Sequence, residues 1–162
     1  MCGIAGRYNY LTGAPVSPRM VQALCDPTAP RGPDADGVWT EGPVGLGHRR
    51  LAVIDLSEGG RQPMTDIRGG LMIVFNGEIY NYLELKRDLE SRGHRFRSKS
   101  DTEVMLAAYR QWGADCVTRF RGQFAFALWD PTDRSLLIAR DRIGKKPLHY
   151  SIDRDGLSWA SE

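Results

Sequence analysis

The segment Phe124-Ala125-Phe126-Ala127-Leu128-Trp129 is apolar throughout and places the strongest constraint on the fold of this chain. An apolar run without polar alternation is typical of a β-strand that is buried on both faces. Such a strand needs packed layers on both of its sides. Further candidate strands lie near both ends of the chain, and two candidate helices lie next to each other between them. This order predicts an α+β fold with antiparallel sheets and segregated helices rather than alternating βαβ units.

Capping residues locate three helices. Ser17-Pro18 is typical of an N-cap followed by proline at the first helical position, and Asp26-Pro27 ends that helix. A second helix is predicted after Asn76-Gly77, with Gly93 as its stop. Asp101 is predicted to cap a third helix.

The remaining elements follow from turn residues and apolar runs. The stretch 29–37 is dense in Pro, Gly and Asp, so we predict an ordered loop there. Strands are predicted over residues 3–8, 44–48, 51–55, 71–75, 124–129, 135–139, 148–152 and 157–160.

The composition excludes several classes of protein. The 162 residues fit one domain, and three scattered cysteines with no CxxC pair are typical of a reducing compartment rather than of a disulfide framework. Neither a membrane span nor a signal peptide is present, so we expect a cytoplasmic protein with no membrane partner. Net charge is +2 with intermixed signs, which predicts no nucleic-acid partner. The three histidines share no ligand spacing, so no metal site is predicted.

Cys2 follows the initiator Met1, and removal of Met1 would leave a thiol and a free α-amine on one residue. The amine titrates at roughly 7.7–8.0 and a thiol near roughly 8.5, so at neutral pH part of the amine is uncharged and can accept the thiol proton. This pairing is the amine-activated form of nucleophilic catalysis. The alternative is that Cys2 only opens a buried strand, because free cysteine is among the most buried residues.

Two further segments contain residue types that could complete an active site. Arg49 and Arg50 are adjacent, so in a strand they face opposite sides and only one can enter a pocket, where a guanidinium would suit a carboxylate. The alternative is a surface strand end. Asn76-Gly77 follows an apolar run, and a side-chain amide beside a glycine N–H is the chemistry of an oxyanion hole. The alternative is a plain Asn-Gly turn.

Asp101 and the segment 143–146 also contain residue types that occur in binding sites. Asp101 could be a pocket carboxylate that accepts from an ammonium group, although capping of its helix is the commoner role for an aspartate ahead of Thr-Glu-Val. The segment 143–146 contains Gly-Lys, but Ala139 and Lys146 stand where a phosphate loop requires glycine and Ser or Thr. A nucleotide loop is therefore not expected.

Eight segments, in one order along the whole chain, resemble the class II glutamine amidotransferases, and the match is closest to glutamine-hydrolysing asparagine synthetase. They cover residues 1–6, 31–34, 47–51, 61–64, 75–81, 100–104, 124–130 and 140–148. The resemblance implies a four-layer αββα N-terminal nucleophile hydrolase fold, with two antiparallel sheets between helical layers. That fold agrees with the order of strands and helices predicted above.

The resemblance also implies roles for individual residues. Cys2 would attack the side-chain carboxamide of L-glutamine while its own α-amine relays the proton, and Asn76 with the Gly77 N–H would stabilise the oxyanion. Arg50 would hold the substrate α-carboxylate and Asp101 its α-ammonium group. Four further residues would complete the substrate pocket: Leu51, Val53, Ile54 and Glu78.

This sequence departs from the family in two respects. Pro30 stands where the family usually has histidine before Arg-Gly-Pro-Asp, which affects the expected conformation of that loop. The family also continues beyond Glu162 into an ATP-dependent synthetase domain, so we expect residues 1–162 to be a glutaminase domain shortened at its C-terminal end. ATP and Mg²⁺ would then belong to the missing acceptor domain, and no cofactor is expected in this chain.

The resemblance leaves the ammonia acceptor and the assembly open. The expected function is the glutaminase half of an asparagine synthetase, which passes ammonia to aspartate. The alternatives are an amidotransferase with a sugar, peptide or polysaccharide acceptor, and a non-catalytic module that binds glutamine. The assembly that the resemblance suggests is a homodimer.

Overall fold

The computed structural model describes residues 1–51 and 58–162, and its strands form two antiparallel sheets. The strands are β1 (Gly3–Tyr8), β2 (Ala35–Glu41), β3 (Val44–Arg50), β4 (Met64–Thr65), β5 (Met72–Ile79), β6 (Gly122–Asp130), β7 (Ser135–Arg140), β8 (His149–Ile152) and β9 (Leu157–Ala160). The first sheet has the order β2-β3-β1-β9-β8, and the second has the order β4-β5-β6-β7.

The helices are α1 (Pro18–Cys25), α2 (Tyr82–Ser91) and α3 (Asp101–Trp112). Three 3-10 helices cover Asp26–Arg31, Glu58–Gly60 and Gly113–Arg119. In the described part of the chain, no helix has the length and apolar character that crossing a membrane requires.

Three apolar clusters hold these elements in four layers. One cluster lies between the two sheets and includes Ile4, Leu46 and Val74. A second packs α2 and α3 on the outer face of the second sheet, and a third packs α1 on the outer face of the first. The layer order is therefore helix, sheet, sheet, helix, which confirms the fold expected from the sequence.

The all-apolar strand β6 is buried on both faces, as its composition predicts. Phe126 packs in the cluster beneath α2 and α3, whereas its neighbour Ala127 packs in the cluster between the sheets. Successive strand residues point to opposite faces, so only a run without polar residues can satisfy both layers.

Helix α1 begins as predicted, but the residue that caps α3 differs from the predicted one. Ser17 caps α1 by accepting a hydrogen bond from the Met20 N–H at 3.2 Å. At α3 the N-cap is Ser100, whose hydroxyl oxygen accepts from the Thr102 N–H at 3.2 Å. The prediction that Asp101 caps this helix is therefore wrong, because Ser100 fills that role and leaves the Asp101 carboxylate available elsewhere.

The prediction of a loop over residues 29–37 is wrong at both ends. Its first residues belong to the 3-10 helix Asp26–Arg31, and its last belong to β2. β2 pairs with β3 along its whole length. Gly37 also lets the segment at Gln62 pack against β2, because a Cβ at that position would collide with the backbone carbonyl oxygen of Gln62. The glycine and aspartate residues at the start of β2 are typical of turns, which is why the sequence predicts a loop there.

The strand predicted over residues 51–55 can be compared with the structure only at its first residue. β3 ends at Arg50, and Leu51 is not part of a strand. Residues 52–55 lie outside the described part of the chain.

Candidate active site

Strand alternation directs Cys2 and Arg50 to the inner face of the first sheet. Ile4 and Leu46 lie in the apolar cluster between the sheets, and residues two or four positions away along a strand face the same side. Cys2 precedes Ile4 by two residues, and Arg50 follows Leu46 by four. β1 and β3 are adjacent antiparallel strands, so these two side chains meet at the same end of the sheet.

Asn76 faces them from the second sheet. It follows Val74, which lies in the same apolar cluster, by two residues. The interpretation of Asn76-Gly77 as a turn is wrong, because both residues lie inside β5 and pair with Ala125 and Phe124 of β6.

These side chains line a cavity of about 140 Å³. A single buried water needs only about 10–15 Å³, so the cavity has room for a small organic molecule. Among the predicted residues, the lining includes Cys2, Arg50, Leu51, Asn76, Gly77, Glu78 and Asp101. Val53 and Ile54 were also predicted, and they lie outside the described residues. Lining residues that the sequence did not assign to a pocket include Met1, His48, Gln62, Thr102 and Lys146.

The Cys2 thiol is held by the backbone of Leu51. The Leu51 N–H donates to Sγ at 3.4 Å, and the thiol donates to the Leu51 carbonyl oxygen at 3.5 Å. Burial raises the pKa of this thiol above its ordinary value. The Leu51 backbone and the positive charges of the amino terminus, Arg50 and Lys146 oppose that rise. The surrounding positive charges therefore favour the ionised thiol, but burial outweighs them and keeps the pKa above its ordinary value.

Arg31 fixes the main chain of Cys2. Its Nε donates to the Cys2 carbonyl oxygen at 3.1 Å, and its Nη1 donates to Oε1 of Glu162 at 2.6 Å. Arg31 is the last residue of the 3-10 helix Asp26–Arg31, which contains the unusual Pro30. In this structure the segment with Pro30 is thus helical and contacts the candidate nucleophile.

The base that the sequence predicts requires the removal of Met1. Met1 is attached, so the Cys2 nitrogen is a peptide nitrogen, which cannot accept the thiol proton. Met1 is 54% exposed, and its Sδ lies 3.0 Å from Nζ of Lys146. Removal of Met1 would expose the Cys2 amine and end this contact.

The edge of β5 that faces away from β6 is only partly covered. β4 pairs with two of its eight residues, so the N–H groups of Phe75, Gly77 and Ile79 meet no strand on that side. Side chains take the place of a strand at two of them. Gln62 Oε1 accepts from the Phe75 N–H at 2.6 Å, and Asp101 Oδ2 accepts from the Ile79 N–H at 3.0 Å. Among the described residues, nothing accepts a hydrogen bond from the Gly77 N–H between them.

Asn76 and Gly77 thus present two neighbouring donors. Gly77 has φ of 152°, and a Cβ there would collide with the Gln123 carbonyl oxygen, so the position requires glycine. Asn76 is 1% exposed, and its Nδ2 has no partner among the described residues. An unpaired buried donor costs about 1–3 kcal/mol, so this Nδ2 is available to an acceptor that enters the cavity. Adjacent N–H donors of this kind suit an oxyanion.

Arg49 and Arg50 take opposite directions, as strand alternation predicts. Arg49 forms ion pairs with Asp26 at 2.7 Å and with Asp36 at 3.5 Å. Arg50 is 8% exposed and lines the cavity. It is therefore the arginine that can meet a ligand carboxylate.

Asp101 gives the cavity an acidic side. Burial raises the pKa of this carboxyl to about 6, the Ile79 and Thr102 N–H groups oppose the rise, and the charge of Glu78 adds to it. At neutral pH the carboxylate is mostly ionised. Because Arg50 provides positive charge elsewhere in the lining, the cavity suits a zwitterion such as an amino acid.

Two lining residues that sequence reasoning missed hold the backbone of β5. Gln62, besides its bond to Phe75, donates from Nε2 to Thr102 Oγ1 at 3.2 Å. His48 lies with Nε2 at 3.2 Å from the Phe75 carbonyl oxygen, and burial lowers its pKa to about 4. The ring is therefore neutral at pH 7, and Nε2 carries the proton in order to donate to that carbonyl.

Signals for these residues existed only in part. His48 precedes Arg50 by two residues, so strand alternation alone places both on the inner face. Gln62 lies in a segment that contributed to the family resemblance, although no role followed from it. For Lys146 no signal separates it in sequence from the adjacent Lys145.

The turn before β8 has no phosphate-binding character. Asp141 accepts the backbone N–H groups of Lys145 at 2.8 Å and Lys146 at 3.0 Å, so these donors are already used. In the described part of the chain, no three or more His, Cys, Asp or Glu side chains are grouped to hold a metal ion.

Two known proteins with similar sequences have names that refer to asparagine synthetase or amidase activity. Asparagine synthetase [glutamine-hydrolyzing] 3 of Bacillus subtilis is 43% identical over 164 residues, which cover 100% of this chain and 26% of that protein. Amidase chry2 of Gibberella zeae is 44% identical over 144 residues, which cover 88% of this chain and 21% of that protein. The chain thus spans about a quarter or less of these two relatives.

A solved structure confirms the fold. Glutamine phosphoribosylpyrophosphate amidotransferase from Bacillus subtilis, complexed with ADP and GMP, superposes with a TM-score of 0.81 at 22% identity. The match covers 99% of this chain and 42% of that one. The glutamine amidotransferase domain matches residues 1–162. This chain therefore belongs to the glutamine amidotransferase domain family.

Proposed function

We propose that this chain hydrolyses the side-chain amide of L-glutamine through a thioester on Cys2. The observation that carries the proposal is the pair of unpartnered donors at Asn76 and Gly77 in the same cavity as the Cys2 thiol. Membership in the glutamine amidotransferase domain family supports glutamine as the substrate.

The first step forms a bond between Cys2 Sγ and the amide carbon of glutamine. The thiol proton passes to the α-amine that Met1 removal exposes, and the π electron pair of the carbonyl moves onto oxygen. Asn76 Nδ2–H and Gly77 N–H donate to this oxyanion. One such donor is worth about 2.7–4 kcal/mol in the barrier.

The second step breaks the carbon–nitrogen bond. The Cys2 ammonium group returns its proton to the leaving nitrogen, which departs as ammonia and leaves a γ-glutamyl thioester. Water then attacks the thioester carbon and gives a proton to the α-amine. Release of glutamate regenerates the thiol.

The charged lining holds the amino-acid end of the substrate. Arg50 binds the α-carboxylate, while Asp101 and Glu78 bind the α-ammonium group. Asp101 already accepts from the Ile79 N–H, so its position is fixed before glutamine binds. Backbone groups of Leu51 contribute to the pocket, and roles for Val53 and Ile54 stay predictions.

We further propose that the whole protein is a glutamine-hydrolysing asparagine synthetase, in which this chain supplies ammonia for transfer to aspartate. Its support is the name of the Bacillus subtilis relative that aligns with the full chain. ATP and Mg²⁺ would act in the acceptor domain.

A sugar, peptide or polysaccharide acceptor is not favoured. The homodimer and the cytoplasmic location stay predictions.

The test compares the Met1-processed chain with its Cys2→Ala and Cys2→Ser variants. We expect the unmodified chain to release glutamate and ammonia in equal amounts, and both variants to lose turnover but retain glutamine binding by calorimetry. Turnover in Cys2→Ala would contradict the mechanism. Binding without turnover in the processed unmodified chain would instead support a non-catalytic glutamine-binding module.

A further inference from the structure

Lys146 is a buried cation in the cavity of the candidate nucleophile. It is 7% exposed and lines the same cavity as Cys2. Its Nζ contacts Met1 Sδ at 3.0 Å, and within residues 1–51 and 58–162 it forms no ion pair. A buried ammonium without a carboxylate partner is costly, and lysine is rarely buried unless it is paired. Packing alone therefore does not account for the position of this ammonium group.

The backbone of Lys146 is fixed to the strand next to the oxyanion donors. The buried Asp141 carboxylate accepts from Lys146 N–H at 3.0 Å and from Phe124 N–H at 3.2 Å, and Phe124 pairs with Gly77 across β5 and β6. Burial opposes ionisation of Asp141, but the backbone N–H groups hold the pKa of this carboxyl below its ordinary value. Loss of Met1 removes one contact of the Lys146 side chain and leaves this anchor in place.

Several charged groups surround the Cys2 thiol. On the positive side are Arg50 from β3, Lys146 from the turn before β8, and the amino terminus, each of which favours the thiolate. Glu78 from β5 and Asp101 at the start of α3 are the carboxylates of the lining, and His48 is neutral. When Met1 is removed, the amino terminus moves onto Cys2 itself, so both titrating groups then belong to a residue that lines the same cavity as Lys146.

We propose that Lys146 is a positioning residue for the nucleophile: after Met1 removal, its ammonium group stays beside Cys2 and shifts the loss of a proton from the Cys2 amine–thiol pair to lower pH. A nearby positive charge disfavours protonation of the amine and favours the thiolate. The released proton goes to solvent, so no further reactant is required. The proposal concerns the protonation of Cys2 and does not rest on glutamine turnover.

The test is the pH dependence of Cys2 alkylation by iodoacetamide in the Met1-processed chain. Iodoacetamide is uncharged, so nearby charges do not steer its approach. Cys25 and Cys116 are buried, burial raises the pKa of their thiols to about 11 and about 12, and a Cys2→Ala chain measures their contribution. Mass mapping of the N-terminal peptide reports Cys2 alone.

The matched pair is Lys146→Met against Lys145→Met, because Lys145 is adjacent, exposed and also bound to Asp141 through its backbone. We expect Lys146→Met to move the midpoint of the profile to higher pH and to slow alkylation at neutral pH, by about tenfold for a shift of one pH unit. Lys145→Met should match the unmodified chain, and Lys146→Arg should restore the profile.

The outcomes separate an electrostatic role from a structural one. An unchanged midpoint in Lys146→Met, or an equal shift in Lys145→Met, would overturn the proposal. If Lys146→Met does not fold, Lys146→Gln replaces it as the neutral variant, and the same comparison applies. An effect on glutamine KM with no shift of the alkylation profile would assign Lys146 to substrate binding and would likewise overturn the proposal.

Discussion

The two walls of the cavity are prepared in different ways. On the β5 wall, side chains from elsewhere hold the strand: Gln62 and His48 bind the Phe75 backbone, and Asp101 binds the Ile79 N–H. On the N-terminal wall, the thiol of Cys2 is in place but its amine is still a peptide nitrogen. Folding alone completes the first wall, whereas the second also needs a covalent change.

This difference separates binding from chemistry. Donors that are fixed before the substrate arrives do not need to reorganise during the reaction, which is the source of their effect on the barrier. In the proposed mechanism the base appears only when Met1 is removed, so Cys2 is inactive as a nucleophile until then. A chain that retains Met1 should therefore have a formed glutamine pocket without turnover.

Retention of Met1 should have the largest effect. We expect a chain whose Met1 cannot be removed to release no more glutamate than Cys2→Ala does, because it lacks the amine that accepts the thiol proton. Calorimetry should still detect glutamine binding to this chain, since the β5 wall is intact. Glutamate release at the rate of the Met1-processed chain would show that the N-terminal wall does not need the removal of Met1.

Replacement of Asn76 tests the β5 wall. Asn76→Ala should lower kcat by about 10²–10³, equivalent to about 2.7–4 kcal/mol, with a smaller change in KM, because its donor acts mainly on the oxyanion. The control is Asn81→Ala, since Asn81 lies outside the cavity and binds the backbone of Arg119 and Arg121. Equal losses of kcat in both variants would indicate a structural effect instead.

The acidic side of the cavity should respond to pH. Asp101 has a pKa of about 6, raised from its ordinary value by burial, so it is protonated below that pH and cannot pair with an ammonium group. Glutamine affinity of the Cys2→Ala chain should therefore fall below about pH 6, by up to about tenfold per pH unit. Asp101→Asn should bind weakly at every pH and lack this dependence. If glutamine affinity had the same pH profile with Asp101→Asn as without it, Asp101 would be excluded as the partner of the ammonium group.

The smallest effect is expected from the support of β5. Gln62→Met keeps the volume but leaves the Phe75 N–H without its acceptor, so the free energy of unfolding should fall by about 1–3 kcal/mol. Amide exchange at Phe75 should accelerate. Gln22→Met is the control, because the Gln22 side chain donates to the exposed Asp26, its one hydrogen-bond partner among the described residues. If both variants lose the same stability, Gln62 has no special role in holding the strand.

Features with a strict local period could be predicted from the sequence. The double burial of β6 follows from an apolar run without alternation, and the opposite directions of Arg49 and Arg50 follow from the period of two. The start of α1 follows from Ser17-Pro18. Each of these depends only on residues that are close together in the chain.

Features that depend on distant pairing could not be predicted. The uncovered edge of β5 exists because β4 is only two residues long, and no local pattern sets that length. β2 was missed because its glycine and acidic residues are typical of turns, although pairing with β3 makes the segment a strand. Lys146 enters the cavity through the turn that Asp141 holds, a contact with no local sequence signal.

The most direct test of the central claim is to quench the Met1-processed chain with acid during glutamine turnover and to map its cysteines by mass spectrometry. The mechanism predicts a γ-glutamyl group on the peptide that begins with Cys2, and its capture as a γ-glutamyl hydroxamate when hydroxylamine is added. Continued glutamate release with Cys2 unmodified and with no hydroxamate would contradict a Cys2 thioester.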